Sequence, residues 1–142
     1  MNKYMKEAIE IAKVGVKKGH GGPFGCVIVK DGVIISKAHN MVLKKKDPTA
    51  HAEVSAIRKA CKKLKSHHLN GCELYCTGRP CPMCRSAIQW AKIETVYYGC
   101  DYNDAKEIGF DEESGNSKNY KEIQIDRDEC LELYKNSDLK VY

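Results

Sequence analysis

Asp47-Pro48-Thr49-Ala50-His51-Ala52-Glu53 and Pro80-Cys81-Pro82-Met83-Cys84 are the stretches on which the reading of this 142-residue chain turns. In the first, Asp47 is placed as a helix N-cap and Pro48 in the first turn, with an apolar stripe Ala50, Val54, Ile57, Cys61 and Leu64 behind them. In the second, Pro82 opens another helix whose stripe is Cys84, Ile88 and Ala91. His51, Glu53, Cys81 and Cys84 therefore gather at two helix N-termini, where positive partial charge favours thiolate over thiol. One imidazole and two thiolates hold a tetrahedral zinc by three ligands and leave the fourth position to water or hydroxide, which is a catalytic arrangement. Glu53 is free to act as the general acid and base that moves that water's proton. The expectation is one Zn2+ per subunit and metal-assisted hydrolysis.

A Cys-x-x-Cys pair on its own also fits a redox dithiol or half of a structural zinc knot. Cys26, Cys61, Cys72, Cys76, Cys100 or Cys130 could supply the fourth ligand of such a knot. A redox pair leaves the prolines on either side of Cys81 unexplained. A non-catalytic zinc-binding interaction module would have no use for Glu53.

Outward from these stretches the chain alternates helix and strand, the order of a layered α/β domain. Residues 2–18 follow a helical period through Met5, Ala8, Ile9, Ala12 and Val16, and Gly19 stops them. Cys26-Val27-Ile28-Val29 and Val33-Ile34-Ile35 read as strands joined at Asp31-Gly32, a hairpin turn. Strands are also predicted at residues 73–77, 93–99 and 120–125, and Asp126-Arg127-Asp128-Glu129 as the capped start of a last helix carrying Cys130, Leu131 and Tyr134. That makes five strands and about five helices, in an order the sequence leaves open.

At this length one core suffices, so residues 1–142 are read as a single domain. The eight cysteines could suggest a disulfide framework, but the charged N-terminal segment lacks the apolar stretch of a signal peptide. Reduced thiols and a cytoplasmic location are expected, and no apolar run approaches a membrane span. Net charge is +5, with clusters at Lys44-Lys45-Lys46 and Lys62-Lys63-Lys65. RNA is the partner such clusters invite, yet no aromatic residues interleave them and acidic residues mix through the C-terminal third, so a solvated face is the preferred reading.

His-x-Glu followed by Pro-Cys-x-x-Cys is the zinc deaminase signature. With Gly21-Gly22-Pro23-Phe24-Gly25, Asn40, Ala56-Ile57-Arg58-Lys59-Ala60-Cys61, Ala87-Ile88-Gln89-Trp90-Ala91 and residues 105–111, the chain resembles guanine deaminases of the cytidine deaminase-like superfamily. The resemblance implies a three-layer α/β/α sandwich around a mixed five-stranded sheet. It implies zinc on His51, Cys81 and Cys84, Glu53 as proton shuttle, and conversion of guanine to xanthine and ammonia in a homodimer. By the same likeness Asn40 reads the base, Ala52 contributes to substrate binding, and Phe24 and Trp90 shape the pocket. Asp111 or Glu112 matches a second acid of the family's Gly-Phe-Asp-Asp segment. Tyr142 resembles a terminal tyrosine that closes the site from a C-terminal segment, here about 114–142, exchanged between subunits. The bland readings are a turn-capping Asn40, core packing for either aromatic, and a solvated acidic loop.

Arg79 departs from the family, which carries Glu before Pro-Cys; a positive charge there leaves room for an acidic substrate. tRNA adenosine deaminases share the metal motifs but carry a small-residue segment where this chain has Tyr102-Asn103-Asp104-Ala105-Lys106-Glu107. Asn40-Met41 and the last helix start resemble cytosine deaminases, and guanosine stays open as a substrate.

Overall fold

In the computed structural model, residues 1–111, 119–139 and 141–142 are described. Their sheet runs β2-β1-β3-β4-β5, with β1 at Gly25–Lys30, β2 at Val33–His39, β3 at Cys72–Gly78, β4 at Thr95–Cys100 and β5 at Lys121–Gln124. β1 pairs antiparallel with β2 and β3, whereas β3-β4 and β4-β5 are parallel. The hairpin closes at Asp31 (φ 50°) and Gly32 (φ 77°), both left-handed as a type I′ turn requires. A mixed five-stranded sheet is what the family resemblance implies.

β1 is buried from Gly25 to Val29, so it is covered on both faces. Cys26 and Ile28 point to one layer with Leu74, Cys76 and Val96; Val27 and Val29 point to the other with Tyr75. On the first face lie α3 (Ala52–Leu64) and α4 (Pro82–Trp90). On the second lie α1 (Lys3–Lys17) and α6 (Arg127–Lys135). Each fully buried aliphatic side chain here contributes about 1.5–3 kcal/mol.

Two further helices, α2 (Val42–Lys45) and α5 (Tyr102–Glu107), bring the described helices to six rather than about five. Both are too short to show a period. α2 is instead anchored by the His20 carbonyl, which accepts the Leu43 and Lys44 N–H groups at 3.0 and 3.1 Å.

α3 begins only at Ala52, with His51 as its N-cap, not at Asp47. Asp47 Oδ1 accepts the Thr49 N–H and hydroxyl at 2.8 and 2.7 Å, a local turn that competes with helix initiation. The inward stripe differs accordingly. Ala52, Ser55, Ala56 and Ala60 meet the sheet, where small side chains allow close seating, and Ile57, Cys61 and Leu64 wedge at the flanks. At α6 the expected cap is also corrected: Asp126 is left-handed (φ 52°) and makes no capping bond, its carboxylate accepting the Asn2 N–H at 3.0 Å instead. Cys130, Leu133 and Tyr134 are buried there, and Leu131 only partly.

Gly25 lets α1 approach β1, because a Cβ at that position would collide with the Ala8 carbonyl. Gly25→Ala is expected to destabilise the protein by about 3 kcal/mol, read as a fall in the urea midpoint with m unchanged. An unchanged midpoint would contradict this seating.

Candidate active site

The site lies where the C-terminal end of β3 and the loop after β2 meet the N-termini of α3 and α4. His51 (φ −69°, ψ 155°) and Cys81 (φ −68°, ψ 170°) are the N-cap residues of the two helices, and neither makes a side-chain capping bond. A position normally given to Ser, Thr or Asp is thus given to a ligand-type side chain. Cys84 follows in the first turn of α4 and Glu53 in that of α3.

His51 Nδ1 is 3.5 Å from the sulfur of Cys81 and 3.5 Å from that of Cys84. A tetrahedral zinc with ordinary Zn–N and Zn–S bonds sets that separation at about 3.6 Å. Among the described residues these three are the one group of His, Cys, Asp or Glu close enough to share a metal ion, all donor atoms lying within 4.8 Å of one another. The residues present fit zinc, and they exclude the redox dithiol as a sufficient account because the imidazole converges with both sulfurs. All eight cysteines are free thiols.

The electrostatics of the metal-free cluster are split between the thiols. The Cys84 thiol donates to Cys81, and with His51 beside it this outweighs burial and holds Cys81 down to about 4. Cys84 is raised well above an ordinary thiol, first by that same bond and then by burial. Glu53, 7% exposed, is pushed up to about 7 by burial and secondarily by the Cys81 charge.

A small cleft over this cluster is lined by Phe24, Asn40, His51, Glu53, Gly78, Arg79, Ala105 and Tyr134. Its free space, about 10 Å³, is of the order of one water molecule. A much larger groove of about 620 Å³ between α1 and α6 holds none of these groups and is remote from the chemistry.

Asn40 is buried, and its Oδ1 accepts the Val42 N–H at 3.0 Å. It caps a turn and lines the cleft at once, with the NH2 end of the amide left to offer. Ala52 is wholly buried at the first turn of α3, where backbone N–H groups lack helical partners. Phe24 packs edge-on to Phe110 at 5.0 Å and Tyr134 at 5.7 Å. Tyr142 reaches this aromatic cluster within its own chain, 5.1 Å from Phe110, its oxygen accepting the Gly22 N–H at 3.3 Å. Trp90 is not brought to the cleft: it is 80% exposed at the far end of α4, neither pocket wall nor core. Asp111 is exposed, and Glu112 lies outside the described residues.

Tyr134 and Gly78 were not among the expected site residues. Tyr134 reads in sequence as one more apolar position of α6, and Gly78 is glycine because a Cβ would meet the Tyr134 hydroxyl. Arg79 is neutralised in place. Its Nε and Nη2 donate to Glu122 Oε1 at 3.0 and 2.8 Å, and its guanidinium lies 5.3 Å from the Tyr98 ring and 4.9 Å from the Tyr102 ring.

Residues 1–100 match the cytidine and deoxycytidylate deaminase zinc-binding region. The chain is 52% identical to the guanine deaminase of Bacillus subtilis over 120 residues, 84% of this chain and 74% of that protein. It is 50% identical to the tRNA-specific adenosine deaminase of Aquifex aeolicus over 95 residues, 67% of this chain but 62% of that protein. The X-ray structure of the Bacillus subtilis guanine deaminase superposes with a TM-score of 0.76 at 41% identity, covering 100% of this chain and 99% of that one.

Proposed function

The chain belongs to the cytidine and deoxycytidylate deaminase zinc-binding family, and on that premise we propose that it is a zinc-dependent aminohydrolase converting guanine and water to xanthine and ammonia. One observation carries the choice of base. The likeness to a guanine deaminase joins high identity to length: 52% holds over 120 residues, whereas the 50% identity to a tRNA adenosine deaminase holds over 95 and a tRNA adenosine deaminase matched over 135 residues is only 37% identical. The Arg79–Glu122 pair supports a neutral base over a nucleotide, since the charge that could have held a phosphate is already matched.

In this reading His51, Cys81 and Cys84 hold the zinc, which supplies a Lewis acid that brings the pKa of water toward about 7. Glu53 takes a proton from the attacking water as the new C2–O bond forms, then delivers it to the exocyclic nitrogen as the C2–N bond breaks. Burial raises its carboxyl above the ordinary range, the direction that favours return of the proton as well as its uptake. The Asn40 amide and the Ala52 N–H orient the ring edge, and Phe24 packs against its face. Asp111 or Glu112 serves as the second acid, and Tyr142 closes the cleft over Phe110. A homodimer exchanging residues 114–142, in which the partner's tail makes those closing contacts, and a cytoplasmic location belong to the same proposal. Eight free thiols support the latter. No described helix is long and apolar enough to cross a membrane.

Ammonia release from guanine, guanosine, cytosine, adenine and a tRNA anticodon stem tests the assignment. Guanine is expected to exceed every other substrate in kcat/KM by at least about 100-fold, the discrimination available when buried polar groups go unpaired. Turnover of the anticodon stem alone would favour the tRNA reading, which the Aquifex aeolicus likeness supports. Activity on none of them would overturn the enzyme.

A further inference from the structure

Tyr102 is the first residue of α5, and its position is over-determined. The Asp101 carboxylate caps α5 by accepting the Asn103 and Asp104 N–H groups, each at 3.1 Å, and Asp104 returns the bond to the Asp101 N–H at 3.0 Å. Arg127 from α6 then clamps the buried Asp104 at 2.9 and 2.6 Å. The ring itself is faced by the Arg79 guanidinium.

The phenol at the end of that ring makes two short bonds. It donates to the Pro80 carbonyl at 2.6 Å and accepts from Arg85 Nη2 at 2.6 Å. Pro80 immediately precedes Cys81, and Arg85 immediately follows Cys84. Arg85 is 5% exposed, and among the described residues no carboxylate pairs with it. One hydroxyl thus spans both ends of the Cys-x-x-Cys turn, using its single donor on one side and an acceptor lone pair on the other.

We propose that Tyr102 is a positioning residue for the zinc site, stapling the Cys81-Pro82-Met83-Cys84 turn through Pro80 and Arg85 so that the two sulfurs keep the separation from His51 that the metal needs. The inference rests on the zinc reading above. Its physical basis is that Pro82 fixes only the extended backbone of Cys81 (φ −68°, ψ 170°), whereas the turn as a whole has to be set against His51, which comes from another helix. Partners of this kind, one bond removed from the ligands, govern metal affinity without touching the ion.

Tyr102→Phe keeps the ring on Arg79 and removes only the hydroxyl. Zinc affinity, measured by chelator competition, is expected to fall 10- to 100-fold. The cobalt(II)-substituted variant should show shifted thiolate charge-transfer bands, a readout that a general loss of stability does not move, and the thermal midpoint of the metal-free protein should fall as well because the buried Arg85 guanidinium loses its phenol partner. Arg85→Leu is the second variant, and the losses of zinc affinity in the two single variants should add to more than the loss in the double variant, because both break the phenol–guanidinium bond. Zinc affinity and a cobalt spectrum both unchanged in Tyr102→Phe would overturn the staple, even with the metal-free protein destabilised. Failure of the unaltered protein to bind zinc would instead overturn the zinc reading.

Discussion

Glu53→Gln is expected to lower kcat by about 10³-fold while zinc content stays at one ion per chain. Gln fills the same space in the first turn of α3 but cannot take up and return a proton. The same substitution should stabilise the metal-free protein, and the sign follows from the environment. Burial raises the Glu53 carboxyl from 4.5 to about 7, so the folded state holds its proton where the unfolded chain has released it. Below about pH 4.5 the group is protonated in both states and imposes no penalty. As pH rises through 7 it ionises in the fold too, and the full penalty is present, about 3 kcal/mol at most. At pH 8 the Gln variant should therefore melt roughly 5–10 °C above the parent, both without metal. At pH 4.5 the difference should vanish. Retained turnover would remove Glu53 from the mechanism, and equal midpoints at pH 8 would remove the strain.

Activity and stability are opposed at this residue for a reason that also bears on what a sequence can disclose. The metal ligands were legible because their chemistry is local: His51 and Cys81 are helix caps, and a cap is set by a few neighbouring residues. The hairpin at Asp31-Gly32 and the stop at Gly19 were legible for the same reason, each requiring a positive φ. What stayed hidden depends on partners remote in sequence. Arg79 read as an unmatched charge because Glu122, which neutralises it, arrives only when β5 pairs with β4. Tyr134 read as an ordinary core position because its approach to Gly78 depends on α6 packing over β4. Trp90 carried a family expectation that its place at the exposed end of α4 does not meet. The start of α3 was misplaced by a turn at Asp47 whose hydrogen bonds compete with those of a helix, and propensity alone does not rank the two.

Metal uptake by the cleared protein at pH 8 is expected to expel about one proton from the cysteine pair, where two ordinary thiols would release about 1.5. Cys81, held down to about 4, already stands as thiolate. Cys84 keeps its proton, which it donates to Cys81, and must give it up to become a ligand. Affinity should then rise about tenfold per pH unit from the thiols, against about thirtyfold for an unperturbed pair with pKa values of about 8.5. Cadmium(II) is the cleaner probe because soft thiolates favour it and its bound water stays un-ionised at this pH. Calorimetry in buffers of different ionisation enthalpy counts the protons. Release of about 1.5 or more would refute the asymmetric pair. A release near one, abolished together with tight binding in Cys84→Ser, would show that half the site is pre-ionised before the metal arrives. The preformed thiolate lowers the cost of loading near neutrality, and it has a second consequence. The Cys81 charge is among the groups that raise Glu53, so metal uptake, by drawing off that charge, is expected to release the Glu53 carboxyl to act as a base.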